Sequence, residues 1–485
     1  MCGVIGIYDK KESVGGYIYD ALIQVQHRGQ DAAGISTWDG SKMYVYKDLG
    51  LVTEAFKTND NILSLNGNIG IGHVRYPTAG SDDVSEAQPF YTSNPANITL
   101  GHNGTLLNSS EIRLKLEKTH FCQFNTKSDS EVLLNLFAYE LSKTNYRKLK
   151  AFHVFKALRS VYEQCYGGFA VTMVVAGIGL IAFRDANGIR PLALGRKKNS
   201  YMVASESSAL TALGFDFLND IEPGQAIIIG ENGDLIKKKI VRGQPHSPCL
   251  FEFVYFSRPD STIDSISVHK TRLRMGDSLG KMILKKYDNL DIDVVIPIPD
   301  TSRTAAMQVA YKLGVKYREG FMKNRYIGRT FIMPGQSIRK RSVKQKLNPI
   351  EIEFKDKNVL LVDDSIVRGH TSKKIIEMVK HCGAKKVYFA SASPPIRYQN
   401  IYGIDMPATK ELIAHKRSIR QIKNRIGADE LIYQELEDLK QSATAGNPKI
   451  KVFEDSVFSG SYRTGNVTKE FLTNLENNRT DANRK

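Results

Sequence analysis

The first residues that could do chemistry lie at the start of the chain. Cys2 directly follows Met1, and a small side chain at the second position allows the initiator Met to be removed. Removal leaves a thiol and a free α-amine on one residue. Both groups have pKa values of about 8, so the amine can take the proton of the thiol. The sequence therefore predicts a cysteine nucleophile that carries its own base.

Four further segments in the first part of the chain supply the groups that such a nucleophile needs. An arginine, Arg75, can clamp a carboxylate with two hydrogen bonds, and Asp129 can bind an ammonium group. The Asn103 side chain and the Gly104 amide can stabilise an oxyanion. Together these groups suit glutamine hydrolysis. The segments are Gln26–Gly34, Gly72–Thr78, Gly101–Gly104 and Ser128–Glu131.

Other residues of these segments have two possible roles. Arg28 and Thr78 are further candidates for binding glutamine, but Arg28 could also form a structural ion pair. His73 and His102 could be histidines packed in the core, and we expect a structural role for His102.

The strongest single motif lies in the second half of the chain. Val359–Ser372 is an apolar run that ends in two carboxylates and continues into a loop rich in Gly, Thr and Ser. Ligands of parallel sheets bind at the carboxyl ends of the strands. Carboxylates there suit ribose hydroxyls and their Mg²⁺, and amides and hydroxyls at a helix N-terminus suit a monophosphate. The predicted ribose-phosphate site comprises Asp363, Asp364, Ser365, Arg368, Gly369, His370, Thr371 and Ser372.

The elements that position the first set of residues are mainly short strands. Helical spacing covers Tyr17–Gln26 and Ser130–Leu141, the second with Ser128 as N-cap. Hairpins around Gly177–Gly179 and Asn232–Gly233 indicate antiparallel pairing. The first half is therefore predicted to be a layered α+β domain. Its β-rich runs are Val4–Tyr8, Ala32–Trp38, Lys42–Lys47, Ile69–Tyr76 and Ile98–His102.

The second half alternates strands with helices. This order predicts an α/β domain with a doubly wound parallel sheet. We place the domains at residues 2–240 and 260–465, and we expect residues 466–485 to form a polar tail. The strands are Asp293–Pro297, Val359–Val362 and Lys386–Ala390, and the helices are Ser302–Leu313 and Ser372–His381.

Composition narrows the class of protein. The chain has 485 residues, of which 41% are hydrophobic and 25% charged, without a secretory signal or a run long enough to span a bilayer. Five scattered cysteines argue against a disulfide framework. We expect a cytoplasmic protein that does not bind a membrane.

The net charge of +17 allows nucleic acid, a membrane surface or a polyanionic small substrate as partner. The densest basic stretch, Lys323–Lys346, holds eight cations and no Asp or Glu. Gly328, Pro334 and Gly335 favour a mobile loop over a helix. A solvated basic face is the alternative.

Two resemblances connect these motifs. Cys2–Gly6, His27–Gly29, Arg75–Thr78 and His102–Gly104 resemble the class II glutamine amidotransferases, which have the αββα fold of the N-terminal-nucleophile hydrolases. Val359–Ser372 resembles the signature of the type I phosphoribosyltransferases. Both halves in this order resemble the glutamine phosphoribosylpyrophosphate amidotransferases, which act at the start of purine synthesis.

This resemblance implies further properties. The substrates would be glutamine and 5-phosphoribosyl 1-pyrophosphate, with purine nucleotides as feedback inhibitors and a homotetramer as the assembly. Thr301 would join Asp363 and Asp364 in binding one Mg²⁺ per subunit. The basic stretch would become a flap over the pyrophosphate, formed in part by Lys323, Arg325, Tyr326 and Arg329.

One departure from the family concerns iron. Some members carry a propeptide and an iron–sulfur cluster, but here Cys2 follows Met1 directly. Cys249 alone lies in a segment that matches the cluster ligands, and Asn400 stands where another cysteine would be. Four thiolates are not available in the family's pattern. We therefore expect no cluster, and we assign Cys122, Cys165, Cys249 and Cys382 to packing.

Two rival functions remain. An amidotransferase that makes asparagine or glucosamine phosphate would share Cys2 but not Asp363–Ser372. A regulator could use a phosphoribosyltransferase fold to sense a nucleotide precursor and bind nucleic acid, which the basic charge suits. Such a regulator has no need of Cys2, Arg75 or Asn103, and no helix-turn-helix pattern precedes the ribose motif. We therefore expect no nucleic-acid partner.

Overall fold

The computed structural model describes residues 1–76, 83–120, 122–324, 347–464 and 467–478. Its first half contains two antiparallel sheets packed face to face. The larger sheet comprises β1 (Gly3–Tyr8), β2 (Ala32–Trp38), β3 (Met43–Leu49), β4 (Ile69–Arg75), β9 (Ala193–Lys197), β10 (Ser200–Ala204) and β11 (Asp216–Asp220). Its order is β11-β9-β10-β1-β4-β2-β3, with β1 near the centre.

The second sheet has the order β13-β12-β8-β7-β6-β5. Val4 and Tyr8 of β1 pack against it, whereas Ile5 and Ile7 face the helices on the other side. Because both faces of β1 are buried, its sequence is an almost continuous apolar run. The strands of this sheet are β5 (Phe90–Thr92), β6 (Ile98–Leu106), β7 (Gly167–Val175), β8 (Gly179–Arg184), β12 (Gln225–Gly230) and β13 (Leu235–Lys239).

Helices cover both outer faces of this sandwich. The larger sheet packs against α1 (Gly15–Gln24), α2 (Val52–Ala55), α3 (Asn59–Leu63) and α7 (Ser207–Ala212). The second sheet packs against α4 (Ser109–His120), α5 (Asp129–Ser142) and α6 (Ala151–Gln164). The layers are helix, sheet, sheet, helix, which confirms the predicted αββα architecture.

The second half is built on a parallel sheet of order β17-β16-β20-β21-β22. Its residues alternate between two cores: Leu360 and Val362 pack on one face, and Val359 and Leu361 on the other. This arrangement confirms the doubly wound prediction. The strands are β16 (Val294–Pro297), β17 (Lys316–Tyr317), β20 (Asn358–Asp363), β21 (Lys386–Ser391) and β22 (Glu430–Tyr433).

Helices lie on both faces of the parallel sheet. One face carries α8 (Val268–Lys286), α9 (Arg303–Leu313) and α12 (Leu436–Thr444). The other carries α10 (His370–His381) and α11 (Ile419–Ile426). Smaller elements are the hairpins β14 (Thr262–Ile263) with β15 (Ile266–Ser267) and β18 (Phe321–Lys323) with β19 (Leu347–Pro349), and the helices α13 (Ser456–Ser459) and α14 (Lys469–Asn478).

The junction between the halves includes a turn of π-helix, Glu252–Phe256. The C-terminal segment contacts this junction, where the amide of Leu250 donates to the carbonyl of Glu454 over 2.9 Å. No helix in the described ranges has the length and apolar character needed to cross a membrane.

Candidate active sites

The pairing of β1 with β4 positions the predicted nucleophile. Gly3 pairs with Val74, which places Cys2 beside the end of β4. The Tyr76 amide donates to the Cys2 Sγ over 3.5 Å, and the sulfur lies 3.7 Å from the Tyr76 carbonyl. Because Arg75 precedes Tyr76, the strand register alone brings the nucleophile and the predicted carboxylate clamp together.

Burial controls the charges at this end of the chain. Desolvation raises the pKa of the Cys2 thiol, while the terminal amine, the Tyr76 backbone and Arg75 act in the opposite direction. The side chain of Met1 is buried. Burial lowers the pKa of the Met1 amine to about 5. The Met1 amine is therefore uncharged at neutral pH.

The predicted oxyanion group lies on β6. Among the described residues, neither polar atom of the buried Asn103 side chain has a hydrogen-bond partner. Buried amides without partners are rare because desolvation is costly. Gly104 has φ +148°, and a Cβ there would come within 2.0 Å of the Gly168 carbonyl on β7. Glycine is therefore required beside an amide group that is ready to bind a ligand.

A buried polar network holds Asp129 at the start of α5. The Leu106 amide donates to Asp129 Oδ2 over 2.9 Å, and the Ser130 hydroxyl lies 3.4 Å from Oδ1. His102 Nδ1 lies 2.9 Å from the same hydroxyl. Gln88 forms hydrogen bonds to both His102 and Ser130. The Gln88 side chain accepts from the His102 amide over 2.7 Å and donates to Ser130 over 3.0 Å.

These contacts describe the surroundings of His102 and identify Gln88 as a further residue near the site. Burial lowers the pKa of His102, and its contacts fit the structural role that we expected. Gln88 was missed because no motif surrounds it. Its importance comes from contacts with strand β6 and helix α5, which are distant in sequence.

Two carboxylates hold Arg28, one of the candidate glutamine ligands. Its Nε donates to Glu206 over 2.6 Å and its Nη2 donates to Glu252 over 2.7 Å, with the whole side chain buried. These two carboxylates raise the pKa of the guanidinium despite the opposing effect of burial. The structure thus favours the structural ion pair for Arg28. Thr78 lies outside the described residues.

The ribose-phosphate motif lies where the sequence predicts, at the carboxyl end of β20. Asp364 is buried, and the Ser365 hydroxyl donates to its Oδ1 over 2.7 Å. Desolvation raises the pKa of Asp363 and of Asp364, and the charge of Asp364 raises that of Asp363 further. The Thr301 hydroxyl also bonds Asp364 and acts to lower the pKa of that residue. Thr301, Asp363 and Asp364 are therefore brought together.

The loop after the two aspartates opens helix α10. Gly369 is the N-cap at φ +75°, and a Cβ there would lie 2.2 Å from the Ile413 Cδ1. His370 and Thr371 are exposed, whereas Ser372 is buried. The Arg368 Nε donates to Glu411 over 2.8 Å, so its side chain is directed to the protein. The loop can therefore offer mainly its amides and hydroxyls to a phosphate.

Of the predicted flap, only the first residues are described. The Lys323 Nζ donates to Asp300 Oδ2 over 2.5 Å at the surface, in the loop that holds Thr301. Arg325, Tyr326 and Arg329 lie outside the described residues.

The four cysteines other than Cys2 are divided among three regions. Cys122 and Cys165 belong to the core beneath α4–α6, Cys249 to the junction and Cys382 to the edge of α10. The Asn400 side chain lies 3.5 Å from Glu454, which pairs with Cys249. Within the parts of the chain that the structure describes, no three His, Cys, Asp or Glu side chains form a cluster able to hold a metal.

Comparison with known proteins confirms both resemblances. A family model of the glutamine amidotransferase domain matches residues 73–212, and one of the phosphoribosyl transferase domain matches residues 265–402. Amidophosphoribosyltransferases of Pseudomonas aeruginosa and Escherichia coli are 52% and 53% identical over 99% of this chain, covering 97% and 96% of those proteins.

A solved structure is similar over the same extent. Glutamine phosphoribosylpyrophosphate amidotransferase from B. subtilis, complexed with ADP and GMP, is 35% identical with a TM-score of 0.84. The match covers 97% of this chain and 98% of that one. Neither rival function has comparable support. This chain belongs to the amidophosphoribosyltransferase family, the glutamine-dependent phosphoribosylpyrophosphate amidotransferases of purine biosynthesis.

Proposed function

We propose that the two sites carry out the halves of one reaction. Cys2, exposed as the N-terminus by loss of Met1, attacks the side-chain amide of glutamine and releases ammonia. Water then hydrolyses the γ-glutamyl thioester, which gives glutamate and restores the thiol. Ammonia then forms a bond to C1 of 5-phosphoribosyl 1-pyrophosphate as the bond from C1 to pyrophosphate breaks. The products are glutamate, 5-phosphoribosylamine and pyrophosphate. The observation that carries this proposal is the buried Asn103 amide, which has no partner among the described residues.

In the first half-reaction, each group acts on one part of glutamine. Arg75 binds the α-carboxylate and Asp129 the α-ammonium, which fixes the side-chain amide relative to Cys2. The Asn103 side chain and the Gly104 amide stabilise the oxyanion that forms after attack. The α-amine of Cys2 accepts the thiol proton. Thr78 remains a further candidate contact.

In the second half-reaction, Asp363 and Asp364 bind the ribose hydroxyls. The loop from Ser365 to Ser372 holds the 5-phosphate through amides and hydroxyls. Lys323 begins the flap that neutralises the pyrophosphate, with Arg325, Tyr326 and Arg329 as its further members. Exclusion of water by this flap would protect the reacting C1 from hydrolysis.

The oxygen donors around Asp364 fit one Mg²⁺ per subunit. Asp363, Asp364 and Thr301 are hard oxygen ligands, and Mg²⁺ is commonly held by one or two carboxylates together with substrate phosphates. When bound, the ion supplies charge neutralisation for the leaving pyrophosphate. Cys122, Cys165, Cys249 and Cys382 are divided among three hydrophobic clusters, and this distribution supports a protein without an iron–sulfur cluster.

Regulation, assembly and location follow from the family. We propose purine nucleotides as feedback inhibitors, and the complex of the B. subtilis relative with ADP and GMP supports this. We also propose a homotetramer located in the cytoplasm. Light scattering of the purified chain measures the assembly directly.

The test is a product balance. With glutamine, 5-phosphoribosyl 1-pyrophosphate and Mg²⁺, the purified protein should form glutamate and pyrophosphate in equal amounts. Ammonium salts should replace glutamine and give pyrophosphate without glutamate. Glutamate release without any pyrophosphate from either nitrogen source would contradict the proposal. Intact mass of the same sample shows whether Met1 has been removed.

A further inference from the structure

The backbone of Gly104 is enclosed from two sides. On one side it pairs with β7, where the Gly168 carbonyl occupies the space that a side chain of Gly104 would need. On the other side lies Gly403, from the half of the chain that carries the ribose motif. A Cβ on Gly403 would lie 2.9 Å from the Gly104 Cα, 3.0 Å from its carbonyl carbon and 3.1 Å from its carbonyl oxygen. These are backbone atoms, so rotation of a side chain could not relieve the contact.

The residue before Gly403 is held on the same surface. A Cβ on Gly168 would lie 3.2 Å from the Tyr402 Cβ, so Tyr402 packs on β7 where Gly403 packs on β6. The Tyr402 hydroxyl accepts hydrogen bonds from the amides of Arg463 and Thr464 over 2.9 Å and 3.0 Å. Tyr402 is therefore fixed between the paired strands and the C-terminal segment.

A buried amide side chain fixes the local conformation around Gly403. The Asn400 Oδ1 accepts from the amide of Tyr402 over 2.8 Å and from the amide of Ile404 over 3.0 Å. Gly403 lies between these two bonded residues and has φ +99°, a value that favours glycine. Residues 400–404 therefore present a defined backbone surface to Gly104.

The position of Gly104 matters because its amide is one of the two groups proposed to stabilise the oxyanion. Such donors are effective when they are in place before the oxyanion forms. A misplacement of about 1 Å can reduce the rate by about a hundredfold. Glycine has no side chain that could lock its backbone by packing. The neighbours of Gly104 must therefore hold it.

We propose that Gly403 is a positioning residue for glutamine hydrolysis. It holds the Gly104 backbone against β7 and thereby fixes the direction of the Gly104 amide. The oxyanion site is thus completed by the other half of the chain, through direct backbone contact. This inference rests on the proposed function, in which the Gly104 amide stabilises the oxyanion.

The first test adds a single methyl group at the contact. Gly403→Ala should lower kcat for glutamine hydrolysis at least about tenfold, because the methyl group displaces the Gly104 backbone. The KM for glutamine should stay within about twofold, since Arg75 and Asp129 bind the α-groups elsewhere. Glutamate release is measured with 5-phosphoribosyl 1-pyrophosphate and Mg²⁺ present. Pyrophosphate formation from ammonium salts should remain within about twofold, because that reaction forms no oxyanion.

A matched control separates the contact from backbone strain. Gly427 has φ +78°, and among the described residues other than its chain neighbours no heavy atom lies within 4 Å of the position that its Cβ would take. Alanine is strained at both glycines, but of the two only Gly403 meets Gly104. Gly427→Ala should therefore keep the wild-type kcat. An equal loss of kcat in both variants would assign the effect to strain and overturn the inference.

Alkylation of Cys2 by iodoacetamide separates a misplaced oxyanion donor from a distorted site. The thiolate sulfur forms a bond to carbon as the carbon–iodine bond breaks, and no oxyanion develops. The rate, followed by the mass of the N-terminal peptide, should stay within about twofold of the wild type in Gly403→Ala. Parallel losses of alkylation rate and kcat would show a general distortion and overturn the specific role of Gly403.

Tyr402→Phe is a milder second variant. It removes the hydroxyl that accepts from the Arg463 and Thr464 amides but adds no atom near Gly104. We expect kcat to fall about threefold with KM unchanged, an effect of the size of one hydrogen bond. This variant decides the question if Gly403→Ala does not fold. Wild-type kcat in every variant of the 400–404 segment that folds overturns the inference.

The outcomes also separate this inference from the proposed function. A wild-type protein that releases no glutamate, or forms no pyrophosphate from either nitrogen source, contradicts the proposed function itself. An active wild type whose kcat is unchanged by Gly403→Ala and Tyr402→Phe contradicts only the positioning role.

Discussion

The two sites differ in where their stabilising groups come from. At the glutaminase site the protein supplies them: Asn103, Gly104 and Asp129 are held by the sheets and by a buried hydrogen-bond network. At the ribose site, burial and the charge of the neighbouring Asp364 raise the pKa of Asp363. The first site is preorganised, whereas we propose that the second is completed by its substrate and a cation.

The largest effect should come from removing the nucleophile. Cys2→Ala should reduce glutamine-dependent pyrophosphate formation by about a thousandfold or more, because no other group can form the covalent intermediate. Synthesis from ammonium salts should remain within about twofold, since the ribose site has its own groups. Both are measured by pyrophosphate release. Cys122→Ala is the matched control, a half-buried thiol that belongs to a core cluster. Equal loss with both nitrogen sources would show that the sites are not separable.

Removing one oxyanion donor should have the next largest effect. Asn103→Ala should lower kcat for glutamine hydrolysis by about a hundredfold, as for other single oxyanion donors, with a smaller change in KM. A change confined to KM, measured by glutamate release, would assign Asn103 to ground-state binding instead.

Substitutions at the ribose site should lower pyrophosphate formation and spare glutamine hydrolysis. Asp363→Asn and Asp364→Asn should each lower pyrophosphate formation by at least about tenfold with either nitrogen source, because a cation and ribose hydroxyls lose a charged ligand. Glutamine hydrolysis measured alone should largely survive. Asp356→Asn is the control, an exposed aspartate that precedes strand β20, at the end opposite to the site. Removal of Mg²⁺ by a chelator should lower pyrophosphate formation by the wild type as the two site substitutions do. With Mg²⁺ present, the Asp356→Asn enzyme should form pyrophosphate at the wild-type rate.

The smallest expected effect is a pH dependence of stability. Burial lowers the pKa of His73 from 6.5 to about 3, and its Nε2 lies 3.1 Å from the His102 carbonyl. Between these values the unfolded chain binds a proton that the folded chain excludes, so stability falls as the pH drops below 6.5. The loss from pH 7 to pH 5 should be about 2 kcal/mol.

Urea unfolding at the two pH values measures this loss. His73→Gln keeps an amide donor for the His102 carbonyl without a titrating group, and it should unfold with a smaller difference between pH 7 and pH 5. An unchanged difference would assign the acid sensitivity to other groups.

The sequence alone determined both chemistries and both fold classes. The ribose motif is local: a buried strand, two carboxylates and a glycine-bearing loop are contiguous from Val359 to Ser372, so the helix N-terminus and its ligands follow from one segment. Cys2, Arg75 and Asn103 were identified by residue type in separate segments. Strands such as Ala193–Lys197 and Ser200–Ala204, with helix Ala151–Gln164, were not predicted, because their partners lie far away along the chain.

Only the tertiary structure decided which polar groups meet. Arg28 resembled a ligand in the sequence, but Glu206 and Glu252 approach it from distant segments and bury it as an ion pair. Gln88 and Gly403 had no motif, yet each contacts elements that the sequence keeps apart. Local patterns specify secondary structure and contiguous loops, whereas a buried charge must find its partner in the folded core. That partner is set by the packing of the whole molecule.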